Sequence, residues 1–345
     1  MLRDEQNGEE WSVDASWIIN ATGPWADMLC QSSGVHTDEP MVGGVRGSHI
    51  VLPKFVGAPD AAVYTEAVDG RPIFVLPWND QILLGTTEVR DDSDPSRVRP
   101  SDDELGYLLA SLHRLFPQLQ IARNDVRYAF AGVRPLPYTP KSTPAATTRR
   151  HVFHDHAENG ASGMLSLIGG KLTTAGAVAR ECANRMGIAT AEFPGVGVVT
   201  GNDFEKATQA IISEVAEIAG ISRESAAVIH EWYGPRSLEI ANKARSNSRL
   251  REPLCPHTPH IVAEAADAFD NQCAVTLGDV LLRRVPIALG ACWSAECKHV
   301  AAGQIASALG WDEKRLGGEL EQFEAECESF LQRQALWQRN EPTAR

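Results

Sequence analysis

Residues 164–186 read Met-Leu-Ser-Leu-Ile-Gly-Gly-Lys-Leu-Thr-Thr-Ala-Gly-Ala-Val-Ala-Arg-Glu-Cys-Ala-Asn-Arg-Met. The apolar run at 165–168 predicts a buried strand, and the glycine pair at 169–170 permits a sharp turn with close backbone approach. Val178 and Cys182, four residues apart, predict a helix that buries one face. Such a helix N-terminus favours negative charge, because its unpaired N–H groups and its dipole point there. The spacing alone leaves an ordinary strand-to-helix connection open.

The composition is that of a large globular protein with an excess of acidic groups. The 345 residues include 45 acidic and 32 basic side chains, which give a formal net charge of −13. This length allows two or more domains, and the negative charge argues against nucleic-acid binding. Seven scattered cysteines indicate reduced thiols. With no signal peptide and no bilayer-spanning apolar run, we predict a cytoplasmic protein and leave peripheral attachment to the membrane face open.

The patterning changes along the chain. An apolar strand runs into Ala-Thr-Gly at 21–23, as at the carboxyl end of a strand in a doubly wound sheet, although a simple turn would explain it too. Residues 43–90 predict an antiparallel or mixed sheet. Ser-Asp-Asp-Glu at 101–104 predicts a capped helix. Segments of helical length follow residue 203, including 277–289, and predict a helical domain.

Three cations and one histidine are candidates for binding and catalysis. Arg134, Arg149 and Lys171 follow turns or strand ends, and such groups suit a phosphate or a carboxylate. Three unrelated surface cations are the alternative. His49 follows a Gly-Ser pair at a strand start, where a neutral imidazole could accept a proton from a substrate hydroxyl. A structural histidine is the alternative there.

Two groups of cysteines and histidines offer possible metal donors. One group is Cys255, His257 and His260, and the other is Cys292, Cys297 and His299. Neither has the paired spacing of common zinc sites, so the sequence predicts no metal. The chain also lacks the motifs of hydrolases and of nucleoside-triphosphate enzymes.

Six segments occur in an order and spacing that match one family. They are 19–25, 47–53, 77–78, 85–88, 131–136 and 169–174. Together they resemble the FAD-dependent (respiratory) glycerol-3-phosphate dehydrogenases. The likeness covers 15–187 closely, and the helical tail resembles the C-terminal domain of that family.

The resemblance implies an α/β fold with an all-α tail. It implies a partial glutathione-reductase-like FAD domain, formed by 1–30 and 131–188, interleaved with a mixed or antiparallel-sheet substrate domain at 31–130. A helical C-terminal domain at 195–337 follows. The Gly-x-Gly-x-x-Gly fingerprint of dinucleotide-binding folds is absent from the sequence. We therefore expect an N-terminally truncated member of the family.

The resemblance also implies a reaction and the residues that perform it. Glycerol 3-phosphate would be oxidised to dihydroxyacetone phosphate, with electrons passed through FAD to a quinone, in a possible homodimer with activity impaired by the truncation. His49 would be the base on the C2 hydroxyl while hydride goes to flavin N5, with Arg134 also catalytic. The residues expected to hold the phosphate are Arg134, Arg149, Lys171 and Thr174. Those expected along the cofactor are Thr22, Gly23, Gly132, Gly169, Gly170, Leu172 and Thr173.

Two other functions stay open from the sequence. A related amino- or hydroxy-acid oxidase would use its arginine for a carboxylate, but the additional cations Arg149 and Lys171 argue against it. A catalytically inactive fragment or a partner-binding module would account for the missing fingerprint, because the helical domain could act alone in association.

Overall fold

The computed structural model describes residues 1–4, 6–140, 147–190 and 202–331. The strands are β1 (Leu2–Arg3), β2 (Glu10–Trp11), β3 (Ile18–Asn20), β4 (Val42–Pro53), β5 (Val63–Glu66), β6 (Pro72–Trp78), β7 (Gln81–Gly85), β8 (Val89–Arg90), β9 (Tyr128–Pro137), β10 (Val152–Asp155) and β11 (Met164–Ile168). The α-helices are α1 (Ala26–Ser32), α2 (Asp102–Leu115), α3 (Ala175–Arg185), α4 (Asn202–Ala219), α5 (Arg223–Tyr233), α6 (Ser237–Ser246), α7 (Val262–Asn271), α8 (Ala295–Leu309) and α9 (Glu313–Leu331). Both ends of the predicted helical domain, 195–337, lie outside the described residues.

A six-stranded antiparallel sheet is the centre of the first half of the chain. Its strands run in the order β5-β6-β7-β4-β8, and β9 pairs with the other edge of β4. Asn79 and Asp80, which join β6 to β7, both have positive φ values of 45° and 58°. A two-residue hairpin turn requires this conformation, and Asn and Asp tolerate it. The predicted sheet is therefore present and is antiparallel.

The two faces of this sheet are covered differently. One face buries Ile50, Leu52, Ile82 and Leu84 against α2. On the opposite face, Val51 and Tyr128 join the core of the helical region. Because side chains alternate along a strand, β4 contributes to both cores. The helical region thus covers one end of the sheet face that carries Val51 and Tyr128. The rest of that face is left for other contacts.

A second, three-stranded sheet carries the glycine turn. In it β11 lies between the antiparallel β10 and the parallel β3. Gly169 and Gly170 follow β11 with positive φ values of 79° and 94°, and a short 3-10 turn then leads into α3. Most residue types avoid this conformation, so two glycines allow the turn. The predicted order of strand, glycine turn and helix is therefore present.

The helical region differs from the prediction at 277–289. A π-helical turn at Asp279–Arg284 and a 3-10 turn at Ile287–Leu289 stand where one helix was expected. Pro286 separates them, because proline lacks the N–H that would continue the helix and disfavours helical geometry in the preceding residue. Within the described ranges, no helix has the length and apolar character needed to cross a membrane.

The predicted domain boundary at 131 falls inside a continuous strand. Residues 128–137 form β9, which pairs with β4 from Val42 to Val51 and so belongs to the sheet throughout. The strand continues past 131 because its residues keep pairing with β4 as far as Pro137. The division of the chain into three domains stays a prediction.

Candidate functional site

A cavity of about 540 Å³ opens between the uncovered end of the six-stranded sheet and the glycine turn. Residues of β4, β9 and the turn line it. They are Gly47, His49, 130–136, Arg149 and 169–171. Seven residues from the sequence prediction thus share one cavity, namely His49, Gly132, Arg134, Arg149, Gly169, Gly170 and Lys171. Its volume is in the range of small-molecule sites.

The other predicted site residues do not line this cavity. Thr22 donates a hydrogen bond to the side chain of Asn20 (2.7 Å), while Leu172 is 94% exposed. The Thr174 hydroxyl donates to the Lys171 carbonyl (2.9 Å) and accepts from its N–H (3.3 Å). Thr174 therefore stabilises the turn after Lys171. Gly23 and Thr173 do not line the cavity either.

Glycines form the floor of the cavity on the sheet. Gly47 lies under the Arg134 guanidinium, where an added Cβ would be 2.3 Å from Nη2. Gly85 lies under the His49 ring, where an added Cβ would be 2.1 Å from Cδ2. Side chains at these positions would clash, so the glycines let Arg134 and His49 lie flat on the sheet.

Arg134 is held by two neighbouring threonines. Its Nη2 donates to the Thr86 hydroxyl (3.0 Å), and its Nη1 donates to the Thr87 carbonyl (3.3 Å). Burial is the largest cause of the lowered pKa of Arg134, and the nearby charge of Arg149 acts in the same direction. Arginine still keeps its charge in proteins. A partly desolvated guanidinium without a bound carboxylate is suited to an anionic ligand.

The remaining charges leave the cavity positive. Arg149 forms an ion pair with Glu88, whose side chain is 16% exposed. Lys171 is exposed and forms no ion pair with any residue in the described part of the chain. Three cations therefore oppose one carboxylate here, although the whole chain has a net charge of −13. Local charge of this kind attracts anions from solution.

His49 lies beside Arg134 as a neutral base. Its ring stacks on Phe130 with centroids 5.0 Å apart and planes 9° apart. Burial first, and the charge of Arg134 second, lower the pKa of His49 to about 4. Its buried Nδ1 has no hydrogen-bond partner among the described residues. A neutral imidazole with a free nitrogen can accept a proton from a ligand hydroxyl.

A buried carboxylate on the opposite face of the sheet supports this arrangement. Glu104 accepts hydrogen bonds from the hydroxyls of Ser48 (2.8 Å) and Thr87 (2.6 Å) and forms an ion pair with Arg46 (3.0 Å). It also closes the predicted capping box with Ser101. The desolvation of Glu104 is outweighed by these partners, which lower its pKa. Thr87 links this network to Arg134 through its carbonyl.

Sequence reasoning missed several of these residues. Thr86, Thr87 and Glu88 occur in a matching segment, yet no role followed from their types. Glu104 was explained by helix capping alone. Only the packing of α2 on the sheet reveals the second role, because it brings Ser48 next to Glu104.

Comparisons with known proteins agree with this architecture. The family described as FAD dependent oxidoreductase matches residues 2–176, and the C-terminal domain of alpha-glycerophosphate oxidase matches 166–316. The chain is 36% identical over 300 residues to a glycerol-3-phosphate dehydrogenase of Synechocystis, covering 83% of this chain and 54% of that protein. It is 35% identical over 196 residues to the aerobic glycerol-3-phosphate dehydrogenase of Escherichia coli, covering 56% and 38%.

A solved structure shares the fold. The glycerol-3-phosphate dehydrogenase from Bacillus halodurans, complexed with FAD, superposes with a TM-score of 0.76 at 21% identity, covering 95% of this chain and 65% of that one. The chain spans about half the length, or less, of the two curated relatives above. It belongs to the family of FAD dependent oxidoreductases, and its second half matches the C-terminal domain of alpha-glycerophosphate oxidase.

Proposed function

We propose that this chain forms the substrate side of a FAD-dependent enzyme that oxidises sn-glycerol 3-phosphate to dihydroxyacetone phosphate. One observation carries the proposal: three cations and a neutral imidazole, whose Nδ1 has no hydrogen-bond partner among the described residues, line the same glycine-floored cavity. A phosphate ester needs the cations, and the oxidation of its secondary alcohol needs a base. The names of the relatives support the same substrate.

The cations divide the work of holding the phosphate. Arg134 is partly buried and is fixed by Thr86 and Thr87, so it would contact the phosphate with little loss of side-chain freedom. Arg149 is already paired with Glu88, and Lys171 is exposed at the rim. These two would add charge, and Arg149 would exchange Glu88 for the ligand as it enters. A carboxylate carries less charge, so the three cations favour a phosphate over an amino or hydroxy acid.

His49 would receive the proton of the C2 hydroxyl. Oxidation of that alcohol releases one proton from oxygen and one hydride from carbon, which together leave the ketone. FAD, when bound, accepts the hydride and so supplies the two-electron chemistry. Phe130 fixes the imidazole plane, and burial, together with the charge of Arg134, keeps the ring unprotonated before the reaction.

The residues at the glycine turn fit a flat ring. Gly169 and Gly170 have no side chains to obstruct the approach, and a Cβ at Gly132 would meet no atom within 4 Å. The N-terminus of α3 follows and favours negative charge. These residues would hold the flavin ring of FAD. Transfer of electrons to a quinone, peripheral attachment to a membrane and a homodimer belong to the same proposal.

Calorimetric titration of the full chain with sn-glycerol 3-phosphate tests the binding step without requiring turnover. We expect binding that weakens with salt, because the contact is ionic, and no binding of glycerol at the same concentrations. Replacement of Arg134 by Met should weaken binding by at least about 100-fold, because it removes a charge-assisted contact and unpairs its acceptors. Arg149→Met should weaken it less, because this residue is more exposed.

Arg150→Met is the matched control. Arg150 follows Arg149 directly but does not line the cavity, so this variant should bind as the parent does. Equal losses in the Arg149 and Arg150 variants would indicate a general charge effect and would contradict the proposed site. Reduction of an acceptor dye by FAD-supplemented protein then tests the oxidation separately.

A further inference from the structure

A second group of reactive side chains lies in the helical region. The ligand atoms of Cys255, His257 and Cys297 all lie within 4.8 Å of one another. The Cys297 Sγ is 3.6 Å from the His257 Nδ1. The oxidation chemistry proposed above does not use these residues. Their convergence therefore requires an explanation of its own.

The backbone fixes the two segments that carry these donors. Cys255 and His257 lie on a loop closed by hydrogen bonds from the Leu254 N–H to the His260 carbonyl (2.8 Å) and from the Val262 N–H to the Glu252 carbonyl (2.9 Å). Cys297 lies in the first turn of α8. There its N–H donates to the Ser294 hydroxyl (3.2 Å). Two independently closed segments thus present their donors to one point.

Burial distinguishes this group from surface thiols. Cys255 and Cys297 are completely buried, while His257 is exposed. A tetrahedral zinc ion with Zn–S and Zn–N bonds of about 2.3 and 2.05 Å separates sulfur from nitrogen by about 3.6 Å. The measured distance between Cys297 and His257 agrees with that value. The exposed imidazole also leaves an entry path for an ion.

A further thiol lies beside the three. The half-buried Cys292 is close enough to Cys255 and Cys297 for its thiol to interact with both, although it is not one of the three donors that all lie within 4.8 Å of one another. The Cys297 thiol also donates to the Cys292 carbonyl (3.2 Å), which keeps the two residues together. Three thiols and one imidazole form a donor set that structural zinc sites use.

We propose that Cys255, His257 and Cys297 bind one divalent metal ion that prefers sulfur and nitrogen donors, such as Zn²⁺, with the neighbouring Cys292 thiol as the candidate for the fourth position. The ion would join the 252–262 loop to the start of α8. Neighbouring positions hold the helical region to the sheet, because the Leu289 carbonyl accepts from Tyr128 (3.0 Å) and the Ala291 carbonyl accepts from Arg127 (2.8 Å). The ion would therefore be structural and would stabilise this junction.

Metal analysis of the full chain tests the proposal. The protein is purified under reducing conditions without chelators, and its metal content is measured by plasma mass spectrometry after incubation with ZnCl₂ and desalting. We expect about one Zn²⁺ per chain. Replacement of Zn²⁺ by Co²⁺ should give the thiolate-to-cobalt absorption and the intense visible bands of a tetrahedral site.

Substitution of His257 is the decisive variant, because an exposed residue can change without unfolding the protein. His257→Asn should weaken Zn²⁺ binding by at least the 10- to 100-fold that loss of an outer-shell partner costs. His299→Asn is the matched control, because His299 is also exposed and its Nδ1 is engaged by the Ala295 carbonyl (2.7 Å). Cys273→Ser, at an exposed cysteine, controls for loss of a thiol.

Three results would overturn the proposal. The first is a content below about 0.1 Zn²⁺ per chain under these conditions. The second is unchanged affinity in the His257 variant. The third is a disulfide between Cys255 and Cys297 in the isolated protein, because a disulfide would consume two of the donors. None of these outcomes depends on flavin binding, so the test is independent of the proposed reaction.

Discussion

The two faces of the six-stranded sheet treat their polar groups in opposite ways. On the face toward α2, each oxygen of Glu104 has hydrogen-bond or ionic partners. On the open face and among the described residues, the Nδ1 of His49 is buried without a partner and Arg134 donates only to neutral oxygens. The Arg46 Nε on the α2 face is also buried without a partner in the described part of the chain, but only the open face combines an unpaired group with a cavity lined by cations. Buried polar groups are normally paired, so the open face is the one suited to a ligand.

The difference shows how one strand can serve both stability and binding. Ser48 and His49 are neighbours in β4, yet alternation sends them to opposite faces. Thr87 connects the two, because its hydroxyl donates to Glu104 and its carbonyl accepts from Arg134. The hydrogen bonds around Glu104, which we call the closed network, therefore hold Arg134 in place on the open face. Four substitutions test this division, from the largest expected effect to the smallest.

Replacement of Glu104 by Ala should have the largest effect. It removes one of the two carboxylates paired with Arg46, which keeps Asp91 at 2.6 Å, and the acceptor of two buried hydroxyls. Breaking a buried ion pair costs about 3–5 kcal/mol of unfolding free energy, and we expect the lower end of this range because Asp91 remains. The control is Asp103→Ala, at an exposed residue of the same helical turn, which should change stability by about 0.5 kcal/mol or less. Urea unfolding measures both. Similar values for the two variants would show that the closed network does not stabilise the sheet.

Because His49 lies on the open face, we expect the stability of the protein to depend on pH. The substitution His49→Gln should remove this contribution. The folded pKa of His49 is about 4, below its ordinary value of 6.5, so the unfolded chain binds more protons between these pH values. Stability is thus fully present above pH 6.5 and is lost as the pH falls toward 4. Between pH 7 and 4.5 the parent should lose about 2 kcal/mol more than the variant.

Two other histidines complete this pH experiment. Burial also lowers the pKa of His156, so some loss of stability should remain in the His49 variant. His36→Asn, at an exposed residue, is the control and should follow the parent. If the stability of the parent and of the His49 variant fell equally with pH, the open face would not disfavour protonation of His49.

The sequence predicted local structure well because local signals determine it. The glycine pair at 169–170, the Asn79–Asp80 turn and the 101–104 capping box each specify a backbone conformation within a few residues. Residues 277–289 are the exception, because their apolar spacing predicts one helix whereas Pro286 interrupts it.

The site features that the sequence does not predict depend on contacts between segments far apart in the chain. The resemblance named Arg134 and His49, but the glycines beneath them acquire meaning only through the register of β4 with β7 and β9. Cys297 and His257 are forty positions apart and belonged to separate groups of possible donors. His260, which the sequence places in one group with Cys255 and His257, is engaged elsewhere, because its Nδ1 lies 2.8 Å from the Glu264 Oε1.

Gly47→Ala should disturb the open face alone. The added Cβ would be 2.3 Å from the Arg134 Nη2, so the guanidinium must move away from its threonines. We expect a loss of roughly 1–2 kcal/mol in stability from overpacking and about tenfold weaker binding of glycerol 3-phosphate. Gly106→Ala is the control, because no atom lies within 4 Å of its Cβ position in α2. That variant should bind normally and should be more stable by about 0.5–1 kcal/mol.

Thr86→Val should have the smallest effect, and it separates positioning from direct binding. The change keeps the shape of the side chain but removes the hydroxyl that accepts from Arg134 at 3.0 Å. Arg134 keeps the Thr87 carbonyl, so binding of glycerol 3-phosphate should weaken only about fivefold, or roughly 1 kcal/mol. Thr65→Val, in β5 of the same sheet, should leave calorimetric binding unchanged. A loss as large as that of Arg134→Met would mean that the Thr86 hydroxyl contacts the ligand itself, and the open face would then bind through more than its cations.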